Sequence, residues 1–205
     1  MDGYVEQNNL VYIPNYGAGR CMLLAFLNAY NAGRPDQLLT FRELVWRFLS
    51  RMQYDRAGLL RCFPEMDKDV VEYLRHKNYN LDFADGVLDI LAAEFRCRVN
   101  ILMTCCNGIP DFCIVVKPHC KLNKPDVTLF REQDHYESLV TRGTFTEKMA
   151  NESQDQRTHD GIVKHILAVF YPSSTIQQVK HKITHTLKFT LFFNFSRSFL
   201  LWRFF

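Results

Sequence analysis

The chain has 205 residues, 47% apolar and 23% charged, which is globular usage and excludes a disordered or collagen-like polymer. A formal net charge of +3 lacks the bias of a protein that lives on nucleic-acid phosphate. Seven cysteines, odd in number and irregularly spaced, follow a polar opening without an apolar signal segment. Free thiols in a reducing compartment, the cytoplasm or nucleus, are the expectation.

In chain order, residues 1–17 are polar and turn-rich, with Pro14 and Gly17. Residues 21–31, CMLLAFLNAYN, are apolar on nearly every face, which predicts a buried helix. Residues 36–52 predict a second helix, with Leu39, Leu44, Val45, Phe48 and Leu49 at helical spacing. Residues 67–78 fit a third, with Val70, Val71 and Leu74 inward. Asp85 fits the N-cap of a fourth, in which Val87, Leu88, Leu91, Ala92 and Phe95 share a face.

The period then changes. Residues 98–103, 112–117, 126–131 and 135–140 read as strands, parted by turn signals at Asn107-Gly108-Ile109-Pro110 and Asn123-Lys124-Pro125-Asp126. Helices followed by a cluster of strands predict an α/β class, a sheet flanked by helices. Residues 146–161 are polar and charged and read as a linker or a frayed helix, before one apolar run at 162–171. The tail 189–205 holds seven phenylalanines, interrupted by Asn194, Arg197 and Arg203. It is open to three readings: a membrane anchor, a docked or interfacial segment, or a tail not selected for structure.

Chemistry concentrates in Asn15-Tyr-Gly-Ala-Gly-Arg-Cys21. Gly17 and Gly19 allow a tight turn that exposes backbone N–H groups, and Cys21 opens an apolar helix. The positive end of a helix favours thiolate over thiol, and free N–H groups there can hold an oxyanion. On this motif alone, a buried structural Cys beside a turn is the simpler reading. A thiolate needs a base, and Asp134-His135-Tyr136-Glu137 is a strand entry. Alternation puts His135 and Glu137 on one face, with Cα atoms roughly 6.5–7 Å apart, so the carboxylate can reach the ring. In isolation, the polar face of an edge strand is the simpler reading of this pair.

The two motifs in this order resemble the ovarian-tumour (OTU) family of cysteine proteases, most of them deubiquitinases. That family has a Gly-containing loop, typically Asp-Gly-x-Cys, that runs into a helix, and a His-Tyr-x strand about a hundred residues later. Here the motifs read Ala18-Gly19-Arg20-Cys21 and His135-Tyr136-Glu137-Ser138-Leu139-Val140, with the intervening family-like helix and strand at 85–102. The resemblance implies an OTU-like domain over 10–141, leaving 142–188 as linker and short apolar segment and 189–205 as tail. It implies Cys21 as nucleophile, His135 as general base, Glu137 as the residue that orients the ring, and Gly19 and Arg20 as the oxyanion loop. The partner would be ubiquitin or a ubiquitin-like protein. No cofactor, metal or nucleic acid is implied, and no membrane unless through the tail. One departure stands out: the family's acidic residue three before the Cys is Ala18. That departure keeps open a catalytically inactive module that binds ubiquitin or another protein.

Other features are weaker. Cys105, Cys106, Cys113, His119 and Cys120 lack the Cys-x2-4-Cys knuckle of a structural zinc site. His159, His165, His181 and His185 read as surface residues, and Cys62 and Cys97 as core.

Overall fold

The computed structural model describes residues 2–17, 19–77, 81–104, 110–118, 122 and 126–172. The chain divides into two units, Met1–Lys164 and His165–Phe205. In the second, the described residues carry the end of a helix closed by the Tyr171 N–H donating to the Leu167 carbonyl at 2.8 Å.

The first unit is a mixed α/β domain. Helix α1 (Asp2–Gln7) and strand β1 (Leu10–Ile13) precede α2 (Cys21–Ala32), α3 (Phe41–Tyr54), α4 (Arg56–Cys62) and α5 (Met66–Val71). A π-helical turn at Glu72–His76 and helix α6 (Leu81–Phe95) follow. Then come β2 (Val99–Thr104), β3 (Pro110–Val116), β4 (Val127–Glu132) and β5 (His135–Thr141), and helices α7 (Glu147–Gln154) and α8 (Gln156–Phe170).

The five strands form one sheet in the order β1-β5-β4-β2-β3. β2 runs parallel to β4, and every other neighbouring pair is antiparallel. Helix α2 packs on β5 and β4. Every residue of α2 is buried, and Leu23, Leu24, Phe26 and Leu27 are closed to solvent. Each such side chain contributes about 1.5–3 kcal/mol of burial, so the helix that Cys21 opens is anchored at the centre of the fold. On the other face, Val5 of α1 covers Leu102, Phe130 and Leu139.

The expected strands are present, and so is the sheet flanked by helices. Several boundaries differ. The second helix begins at Phe41 because Thr40 and Glu43 form a capping box there. The Asn31 side chain also holds both backbone groups of Leu39, which keeps the preceding segment a turn. The fourth helix begins at Leu81, so Asp85 lies inside it and is not its N-cap. The third is split: regular turns end at Val71, and the π-helical turn stops at Lys77 in the left-handed region (φ 60°). Of the two readings of the polar stretch 146–161, linker or frayed helix, the helical one is found. The stretch forms α7, capped by Thr146, and the start of α8.

Candidate functional site

The site is built from the loop before α2 and the hairpin that opens β5. Residues Gln133 and Asp134 join β4 to β5, with Glu132 paired to His135. Gln133 takes φ 54°, and its carbonyl accepts from Arg131 Nε at 2.8 Å. His135 is therefore delivered at the very start of β5 by a braced two-residue turn.

Cys21 meets that turn. Its sulfur lies 3.7 Å from the Asp134 carbonyl, within range of a thiol donating to oxygen, and the Tyr136 backbone N–H is directed at it. Both groups flank His135. Burial pushes the Cys21 thiol above its ordinary value, although the N–H groups of Tyr136, Met22 and Cys21 itself oppose that rise. The helix-terminus donors expected from the sequence are thus present, yet desolvation outweighs them.

The His135 ring stands over Gly17. A Cβ on Gly17 would come within 3.4 Å of Cε1 and 3.6 Å of Nδ1. On the other side, Nε2 lies 3.6 Å from Glu137 Oε1. That is longer than a hydrogen bond and suits an ion pair once the imidazole is protonated. Nδ1 thus faces the Gly loop and Nε2 faces the carboxylate. His135 and Glu137 are both partly open to solvent, whereas Cys21 is only 4% exposed.

The loop itself is tied at each end. Asn15, to which the sequence reading gave no role, uses both ends of its amide. Nδ2 donates to the Tyr136 carbonyl at 2.9 Å, and Oδ1 accepts from the Gly17 N–H at 2.8 Å. The loop is thereby fastened to β5 beside His135. Gly17 and Gly19 both take positive φ, 67° and 77°. At Gly19 a Cβ would fall 2.0 Å from the Lys77 carbonyl oxygen, so the close approach of the two backbones demands glycine.

Arg20 departs from its expected place in an oxyanion loop. Its backbone N–H is already committed to the Gly17 carbonyl at 3.1 Å, so it has no donor to offer. Its side chain is 2% exposed and turned into the fold. There Nε and Nη2 donate to the Leu74 carbonyl at 3.1 and 2.6 Å, and Nη1 donates to Asp160 Oδ1 at 2.5 Å. The guanidinium is spent on structure and does not face the thiol. Ala18 lies outside the described residues.

His159 is also corrected. It is 2% exposed, its Nδ1 lies 2.9 Å from the Tyr16 hydroxyl, and its ring stacks on Phe41 at 4.0 Å between centroids. Of the cysteine-rich stretch, Cys105, Cys106, His119 and Cys120 lie outside the described residues, and Cys113 is an exposed free thiol on β3. Among the described residues no three His, Cys, Asp or Glu side chains are grouped to hold a metal ion. Among the described residues no helix is long and apolar enough to cross a membrane. The tail 189–205 and the remaining histidines 181 and 185 lie outside them.

No family model matches the sequence, and no curated protein does. Several solved structures are similar, among them the following two. The OTU domain of OTUD1 is 14% identical, with a TM-score of 0.49 over 67% of this chain and 90% of that one. An OTU deubiquitinase from Wolbachia pipientis wMel is 14% identical, with a TM-score of 0.45 over 72% of this chain and 98% of that one.

Proposed function

We propose that the chain is a thiol isopeptidase of the OTU type, acting on the Gly-terminated tail of ubiquitin or a ubiquitin-like protein. The observation that carries this reading is that the Cys21 sulfur sits against the backbone on both sides of His135. In this reading His135 takes the thiol proton through the nitrogen that faces the loop, and the sulfur attacks the carbonyl carbon. The tetrahedral oxyanion is met by N–H groups at the start of α2. Collapse expels the amine, which leaves with the proton that His135 returns, and a thioester remains. Water activated by His135 then hydrolyses it and restores the thiol. Glu137 stabilises the imidazolium that forms in each half-reaction, which suits a 3.6 Å separation that shortens on protonation. No cofactor enters this sequence.

One observation favours a second reading, an inactive module that binds ubiquitin or another partner. The resting thiol is buried and points at a carbonyl oxygen. In the enzyme reading substrate binding draws the sulfur away from Asp134, whereas in the inactive reading nothing does. Hydrolysis of ubiquitin carrying a fluorogenic C-terminal amide separates the two. The enzyme reading expects turnover that disappears in Cys21→Ala. Binding of ubiquitin with no turnover would sustain the inactive module, and turnover that survives Cys21→Ala would remove the proposed nucleophile.

A further inference from the structure

Tyr16 and Arg20, the two large side chains of the Cys21 loop, are both held by consecutive residues of α8. Tyr16 meets His159, and Arg20 meets Asp160. Asp160 Oδ2 also lies 3.3 Å from Lys77 Nζ, and Lys77 is the residue on which Gly19 packs. One carboxylate therefore joins the residue before the nucleophile to the backbone turn beneath the loop. These partners are 140 residues away from Arg20 and 83 from Lys77 in the chain. They lie in a stretch whose composition reads as linker.

A loop with two glycines at positive φ has little rigidity of its own, so its order must come from such ties. The Arg20 guanidinium is the strongest of them. It is buried, it sits one residue from the sulfur, and a buried guanidinium needs a counter-charge. The Leu74 carbonyl supplies a dipole, and Asp160 supplies the charge.

We propose that Asp160 is a positioning residue for Cys21, a latch on α8 that fixes the nucleophile loop through Arg20. The proposal rests on reading Cys21 as the nucleophile. The latch acts on the geometry of attack and leaves substrate docking alone. A misplacement of about 1 Å at a reacting group can lower a rate on the order of a hundredfold.

The test uses the full chain and three variants: Asp160→Ala, Asp160→Asn, which keeps an acceptor oxygen, and Asp160→Glu, which keeps the charge. Amide hydrogen exchange is followed at residues 16–22 and in β2 and β4, beside steady-state cleavage of the fluorogenic ubiquitin amide. In Asp160→Ala the loop amides should exchange at least about tenfold faster while β2 and β4 do not change. The value of kcat should fall about 10- to 100-fold with KM within about twofold. Asp160→Glu should recover most of the rate, and Asp160→Asn should fall between. Unchanged kcat and loop exchange would overturn the latch. Exchange that quickens equally in β2 and β4 would overturn it too, because Asp160 would then serve the fold and not the loop. Should the wild type fail to turn over ubiquitin, the reading of function falls separately. Loop exchange and the rate of Cys21 alkylation by iodoacetamide then decide the latch: changes in both in Asp160→Ala sustain it, and constancy in either overturns it.

Discussion

The Cys21 sulfur lies 3.7 Å from the carbonyl oxygen of Asp134, the residue immediately before His135. This contact joins the first residue of the central helix to the turn of the hairpin that carries His135.

Glu137 should matter by degree. Its oxygen is 3.6 Å from Nε2, so it orients and stabilises the imidazolium without holding the neutral ring tightly. Glu137→Ala should lower kcat about 10- to 100-fold and leave measurable turnover. His135→Ala, which removes the base itself, should cost about 10²–10⁴-fold. Steady-state cleavage of the fluorogenic ubiquitin amide measures both. A Glu137→Ala loss as deep as that of His135→Ala would make the carboxylate an obligatory member.

The glycines should separate. Gly19→Ala must both adopt φ 77° and clear a carbonyl oxygen that its Cβ would approach to 2.0 Å. It should lower stability by several kcal/mol, beyond the ~1–3 kcal/mol of backbone strain alone. Gly17→Ala carries the strain without the clash, since its nearest neighbour would be His135 at 3.4 Å. It should melt closer to wild type while reducing cleavage through the crowded ring. Thermal melts beside rates test the pair, and equal melts would contradict the packing argument.

Ala18→Asp, which restores the acid found in the OTU pattern, should change the rate by less than about threefold. Asn15 already ties the loop to β5, and Arg20 ties it to Leu74 and Asp160. A rise approaching the ~10²–10³-fold value of one oxyanion donor would show instead that the loop lacks support.

Alkaline pH should destabilise the fold. Burial is the largest cause holding Cys21, Tyr16, Tyr30 and Tyr73 above their ordinary values. The protonated forms are the neutral ones, so the unfolded chain releases these protons first as pH rises. The stability they contribute is intact below the ordinary values, about 8.5 for Cys and about 10 for Tyr, and is lost above them. The melting temperature should fall from about pH 9 upward, less steeply at first in Cys21→Ala. A flat or rising profile to pH 11 would contradict the assignment.

Much of this was legible in the sequence, and the reason is local. Short strand-like runs between turn signals mark β2, β3, β4 and β5, an apolar run marks α2, and the loop and His-Tyr-Glu strand carry their own patterns. What stayed hidden is held by distant partners. Nothing near Arg20 announces Leu74 or Asp160, and a buried guanidinium reads as a surface charge until its carboxylate is found. His159 was hidden similarly, because its polar neighbours Arg157, Thr158 and Asp160 mask the stripe that it begins with Val163. Asn15 looked like an ordinary turn residue because its local partner, the Gly17 N–H, is a turn contact, while the Tyr136 carbonyl is reached only once the fold closes. The burial of Cys21 was hidden for a different reason: helix-end donors can be read from spacing, but the burial that pushes the thiol's pKa up against them cannot.

In the proposed function Cys21 is a nucleophile aimed at the C-terminal carbonyl of a ubiquitin-type tail. Intact mass spectrometry after incubation with ubiquitin bearing an electrophile at its C-terminus tests it most directly. The expected result is a single covalent adduct, mapped to Cys21, abolished by Cys21→Ala and slowed by His135→Ala. A folded wild-type protein that binds ubiquitin and forms no adduct, or forms one at the exposed Cys113, would contradict it.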